Sequence, residues 1–267
     1  MGLGEMFRGI HVAAFMPYIC CGDPSARFTM KLAETLVENG ADAIELGIPF
    51  SDPVADGRVL QQASSRALSA GMTPKKALRL VASMRRSGIS IPIIIMSYCN
   101  TFYSQGAARM LSQAKKAGAD AVIVPDLPLE ESQGFRKECR KAGLDFVPLT
   151  APGCSEGRIR RIAKGAGGFL YAVSVSGTTG ARKKVATEAL SLVARARRSS
   201  GMPVAAGFGI ATPGHARQFA RSGASGIIVG SRIAEIYSKS IKEGEKKALE
   251  EIAGYCRAMK SACARTK

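Results

Sequence analysis

The chain has 267 residues with 46% hydrophobic and 22% charged content, an ordinary balance for a globular protein of one large α/β domain or two small ones. No apolar run spans a bilayer, since the longest candidate, residues 89–96, is interrupted by Ser90 and Pro92 and is strand-sized. The net charge of +17 would suit a nucleic acid or an acidic surface, but the cations are scattered as pairs (Lys75-Lys76, Arg85-Arg86, Lys115-Lys116, Arg197-Arg198), Trp is absent and no nucleic-acid-binding motif accompanies them, so they read as solvated helix faces.

In chain order, apolar runs near 13–19, 43–47, 91–97, 120–124, 144–149, 168–174, 203–207 and 226–229 predict eight strands. Helical patterns at 29–38, 73–86, 107–116, 131–141, 158–164, 188–198 and 213–221 separate them. The helix-to-strand junctions repeat one phrase. Glu38-Asn39-Gly40-Ala41-Asp42-Ala43-Ile44 recurs as Lys116-Ala117-Gly118-Ala119-Asp120-Ala121-Val122, with weaker copies at 141–146 and 221–227. Its Gly is a helix stop, a backbone requirement that carries no chemistry. The strands are continuous apolar runs, as buried parallel strands are. Eight β-then-α units predict a single (β/α)₈ TIM barrel over residues 1–267. A doubly wound sheet would normally show Gly-x-Gly-x-x-Gly after its first strand, and none is present.

Residues 44–57, Ile-Glu-Leu-Gly-Ile-Pro-Phe-Ser-Asp-Pro-Val-Ala-Asp-Gly, are the most informative stretch. An ionised carboxylate is costly to bury, so Glu45 between Ile44 and Leu46 requires a reason. An edge-strand Glu facing solvent or a buried salt bridge would supply one. The acidic, Pro-stiffened loop that follows, with Asp52 and Asp56, favours a catalytic cleft. Barrels place their sites at the C-terminal ends of strands, here Tyr98, Asn100, Asp126, Thr150, Tyr171 to Gly180, Gly207 to Ile210 and Gly230-Ser231. No Lys stands at these ends, which argues against Schiff-base chemistry and for proton transfer by carboxylates and a phenol. Glycines after strands seven and eight, with the Ser231 hydroxyl, predict a phosphate cradle.

Seven cysteines without a Cys-x-x-Cys pair, and an N-terminus lacking a signal-peptide layout, predict free thiols and a cytoplasmic address. Two histidines, neither at metal-ligand spacing, predict no metal site.

The block Glu45-Leu-Gly-Ile-Pro-Phe-Ser-Asp-Pro with Ala55-Asp56-Gly57 resembles the signature of the tryptophan synthase alpha chain family. So do Gly22-Asp23-Pro24, Asp126-Leu127-Pro128 with Glu130-Glu131, Ser174 with Gly177 and Thr179-Gly180, and Gly207-Phe208-Gly209-Ile210. The resemblance implies retro-aldol cleavage of indole-3-glycerol phosphate to indole and glyceraldehyde 3-phosphate. It implies Glu45 as the acid/base, Asp56 as acceptor of the indole N–H, and Tyr171 holding the carboxylates in place. Gly180, Phe208, Gly209, Gly230 and Ser231 would line the phosphate site. Separately, the glycine-containing loop from Thr178 to Glu188 is long for a barrel connection and is expected to act as a lid that closes over the substrate through Thr179. Asp52, Pro53 and Asn100 would meet a beta chain in an alpha2beta2 assembly. Pyridoxal phosphate would sit on that partner and no cofactor on this chain. Arg58 departs from the family, which usually has Pro there, and so removes a fixed φ beside the catalytic loop.

Overall fold

The computed structural model describes residues 2–173, 187–207 and 209–264. The strands are β1 (Ala14–Cys20), β2 (Ile44–Gly47), β3 (Ile93–Met96), β4 (Ala121–Ile123), β5 (Asp145–Val147), β6 (Leu149–Thr150), β7 (Leu170–Ala172), β8 (Val204–Ala206) and β9 (Gly226–Val229). All pair in parallel, in the order β5-β4-β3-β2-β1-β9-β8-β7-β6. The two ends of that order, β5 and β6, are consecutive in the chain, so the sheet curls into a TIM barrel. The expected strand 144–149 is therefore two segments. Pro148 separates them because it has no N–H to give the ladder, while its carbonyl still accepts from the Tyr171 N–H at 3.0 Å.

The helices are α1 (Leu3–Gly9), α2 (Ala26–Glu38), α3 (Arg58–Ser69), α4 (Pro74–Arg86), α5 (Cys99–Tyr103), α6 (Ala107–Ala117), α7 (Ser132–Ala142), α8 (Glu156–Ala163), α9 (Thr187–Ser200), α10 (Pro213–Arg221), α11 (Ser231–Ser240) and α12 (Glu245–Ala262). Three long ones, α3, α11 and α12, add to the helices read from periodicity. In α3 the buried face is only Ala63, Ser64 and Ala67, too small to write an apolar stripe into the sequence. Helix α2 starts three residues earlier than expected, where the Ser25 hydroxyl caps it by accepting from the Phe28 N–H. Arg58 is the first residue of α3, so the helix begins there without a proline. Among the described residues no helix is long and apolar enough to cross a membrane.

The repeated Gly-Ala-Asp-Ala phrase has a structural task at the N-terminal ends of the strands. The Asp42 carboxylate accepts from the Phe15 N–H at 2.6 Å and from Lys260 Nζ at 2.6 Å. Asp120 repeats the arrangement, accepting from the Ile93 N–H at 2.8 Å and Arg85 Nη2 at 2.6 Å. Arg85 also donates to the carbonyls of Gly118, Ile89 and Ile91, gathering the chain that enters β3 and β4. Each Asp thus stitches its own junction to a neighbouring strand.

Candidate active site

At the opposite end of the barrel a cleft opens, lined by apolar side chains with a few convergent polar groups, the make-up of a small-molecule site. Its floor includes Tyr18, Glu45, Met96, Ile123, Tyr171 and Ile228, and its walls Ala55, Asp56, Gly207, Gly209, Ile210, Gly230 and Ser231. Glu45 comes from the second residue of β2, in register with Tyr18 on β1 and Ile94 on β3. It is fully buried, and neither carboxylate oxygen has a hydrogen-bond partner among the described residues. It is not a solvent-facing Glu, and it is not held in a salt bridge among the described residues. Burial first, then the charge of Asp56, pushes its pKa up to about 8. At neutral pH Glu45 is therefore mainly protonated.

Asp56 lies at the end of the loop that leads from β2 to α3. Burial raises its pKa to about 6, opposed by a hydrogen bond from the Tyr98 hydroxyl. It is mainly ionised at neutral pH. Tyr98, at the end of β3, organises this loop in three ways. Its hydroxyl bonds Asp56, its oxygen accepts from the Ala55 N–H at 3.1 Å, and its ring stacks on Phe50 with centroids 5.2 Å apart. Sequence reading placed Tyr98 among the strand-end residues without a task; its three partners lie more than forty residues away, which no local pattern encodes.

Tyr171 is buried at the centre of the cleft and donates from its hydroxyl to the Gly207 carbonyl at 3.2 Å. It is near enough to Glu45 and Asp56 that their charges add to burial in raising its pKa. Two glycines make room for the tyrosines. A Cβ at Gly47 would sit 2.1 Å from the Tyr18 hydroxyl oxygen, and one at Gly207 would sit 2.4 Å from that of Tyr171. Both phenols fit into the cleft because no side chain occupies these two positions.

Gly209, Gly230 and Ser231 come together at the other end of the cleft, where α11 begins. The first N–H groups of a helix lack intrahelical acceptors and suit an anion. Gly209 adopts φ +69°, a left-handed conformation that favours glycine. His215 Nδ1 lies 3.2 Å from the Gly209 carbonyl, and the Tyr255 hydroxyl donates to the Ala211 carbonyl at 3.1 Å, fixing this loop from below. Asp23, fully buried, receives Arg66 of α3 at 2.8 and 2.7 Å and the Tyr237 hydroxyl of α11. It thereby ties together α3 and α11, whose Leu60, Ser231 and Arg232 line the cleft. Gly180, Phe208 and Thr179 lie outside the described residues.

Asp52 and Asn100 are exposed at the rim, beside Val54 and Tyr103, which are 79% and 53% accessible. Pro53, next to Asp52 in its loop, is buried. Asp126 lies outside the cleft and accepts from the Cys99 N–H at 2.9 Å, a cap for α5. Among the described residues no group of three or more His, Cys, Asp or Glu side chains is arranged to hold a metal ion.

Comparison with known proteins agrees with this geometry. The model of the family described as tryptophan synthase alpha chain matches residues 8–264. The tryptophan synthase alpha chain of Carboxydothermus hydrogenoformans is 41% identical over 264 residues, covering 97% of this chain and 98% of that one. That of Shouchella clausii is 42% identical over 246 residues, covering 90% and 91%. Among solved structures, tryptophan synthase subunit alpha from Legionella pneumophila superposes with a TM-score of 0.90 at 33% identity, with 98% of each chain covered. A chain of the tryptophan synthase complex from Pyrococcus furiosus gives 0.84 at 34% identity, covering 93% of this chain and 98% of that one. The chain belongs to the tryptophan synthase alpha chain family.

Proposed function

We propose that Glu45 and Asp56 divide the work of the family's reaction, the retro-aldol cleavage of indole-3-glycerol phosphate to indole and glyceraldehyde 3-phosphate. The chain is the alpha subunit that catalyses this step. Indole leaves as a carbon leaving group only after C3 is protonated, which places positive charge on the ring. Glu45, protonated at neutral pH, gives its proton to C3. Asp56, ionised, accepts the ring N–H and offsets the charge. As the C–C bond breaks, the glycerol hydroxyl becomes the aldehyde and its proton returns to Glu45, so the carboxyl ends as it began. Environments that separate the pKa values of two neighbouring acids are how one site supplies both roles. The observation that carries the assignment is Glu45 itself, buried at the cleft floor with both oxygens unpartnered.

Tyr171 packs beside both carboxyls and holds their positions. Gly209, Gly230 and Ser231 receive the phosphate, and Gly180 and Phe208 are assigned to the same site from the family pattern, with Thr179 on the lid. The exposed Asp52 and Asn100, with Pro53 next to Asp52 in its loop, form the face for a beta chain in an alpha2beta2 assembly. That partner carries pyridoxal phosphate, and residues 1–267 work as one domain without a cofactor of their own. All seven cysteines are free, which suits a reducing cytoplasm.

The test is indole release from indole-3-glycerol phosphate by the isolated chain and after addition of a beta chain. The proposal expects slow release alone and a gain on mixing. No release in either condition would overturn it.

A further inference from the structure

The phosphate end of the cleft contains a charge pair that neither the glycine pattern nor the family assignment uses. Arg232 is the second residue of α11, next to Ser231, and both it and Glu235 line the cleft. Arg232 Nη1 donates to Glu235 Oε2 at 3.2 Å, with the side chains 39% and 23% exposed. Among the described residues that line the cleft, Arg232 is the only cation, against three carboxyls, Glu45, Asp56 and Glu235.

A phosphate dianion entering this cleft meets the charge of Asp56 and Glu235, with Glu45 neutral. Backbone N–H groups at the start of α11 offer roughly half an elementary charge. That does not balance two carboxylates and a dianion. A guanidinium one residue along the helix does much of the rest, and its planar fork suits two phosphate oxygens at once. Glu235 holds the guanidinium at the cleft wall while the site is free of substrate. That the cleft is built for a ligand stands on a separate observation, the fully buried Glu45 with unpartnered oxygens.

We propose that Arg232 is a phosphate-binding residue of this alpha chain, released from Glu235 to the substrate phosphate when the ligand enters. The inference rests on the phosphate-end reading given above. It adds a charged contact that sets preference for a dianionic phosphate over uncharged glycerol.

The test is calorimetric titration of the full chain with glycerol 3-phosphate, inorganic phosphate and, as a neutral probe, indole. Arg232→Gln should weaken both phosphate ligands about tenfold, the scale of one lost charge-assisted contact, and leave indole affinity within twofold. Arg232→Lys, which keeps the charge, should recover most of the loss. Added salt should weaken phosphate binding more in the parent than in Arg232→Gln. Phosphate affinity of Arg232→Gln within twofold of the parent would overturn the proposal. So would equal weakening of phosphate and indole, or an Arg232→Lys variant as weak as Arg232→Gln. These readouts need no turnover, so a failed Arg232 assignment leaves indole release standing. A parent that binds no glycerol 3-phosphate at all would instead remove the phosphate end, and this inference with it.

Discussion

Asp42 and Glu45 are three residues apart in the chain, at the entrance and in the body of the same strand, β2, and their surroundings are opposite. Asp42 accepts a strand N–H and a lysine, each at 2.6 Å. Asp120, the matching residue of the repeat, does the same with Ile93 and Arg85. Glu45 has no such partner among the described residues, and burial moves its pKa up to about 8. A carboxylate whose lone pairs are filled fixes the chain around it. A buried carboxyl without such partners favours its protonated form. The N-terminal end of the barrel has its carboxylates tied into the chain, and the C-terminal end holds a buried carboxyl with no hydrogen-bond partner among the described residues.

Substitutions at the two ends should therefore separate activity from stability. The largest effect belongs to Glu45→Gln, which keeps the volume but cannot carry the proton. Indole release should fall about 10²–10⁴-fold with the fold retained by circular dichroism. Asp56→Asn should fall on a similar scale, because a neutral amide cannot offset ring charge. Near-parental release by either folded variant would erase the distinction between the two ends.

Ser231→Asp places a negative charge in the proposed phosphate cradle, so KM for indole-3-glycerol phosphate should rise steeply. An unchanged KM would mean the cradle is elsewhere. Next comes Tyr98→Phe, which removes the hydrogen bond that keeps Asp56 ionised. Its loss should cost about tenfold in kcat/KM, and the acidic limb of the pH–rate profile should move to higher pH. The smallest effect on rate is expected for Asp120→Ala at the other end of the barrel. It strips an acceptor from the Ile93 N–H and from Arg85, so thermal or urea unfolding should show a loss of about 1–3 kcal/mol. Turnover per folded molecule should stay within twofold of the parent.

What was legible in the sequence follows the same division. Glu45 stood out because a charge interrupts an apolar strand, and the barrel because eight strand-and-helix units keep a steady rhythm. The glycines after β8 and β9 led to the expectation of an anion site on equally local grounds. The supporting contacts were not, because each joins residues distant in the chain. Asp42 meets Lys260 across 218 residues, and Ala55 meets Tyr98 across 43. The repeated Asp looked like part of a helix-stop phrase, and only the fold shows that it staples neighbouring strands. Likewise α3 shows almost no apolar stripe, because small residues suffice where it packs closely. The division of the 144–149 strand at Pro148 was open to inspection, since a proline within a ladder lacks the N–H it needs.

The most direct test is the pH dependence of kcat/KM for indole release. The rate should rise with pH as Asp56 ionises near 6 and fall as Glu45 loses its proton near 8, giving a bell between those values. The two limbs belong to the interacting pair, and Glu45→Gln should leave no bell in its residual rate. A parental profile that stays flat from pH 5 to 9, or that keeps rising through pH 8, would contradict a protonated Glu45 working beside an ionised Asp56.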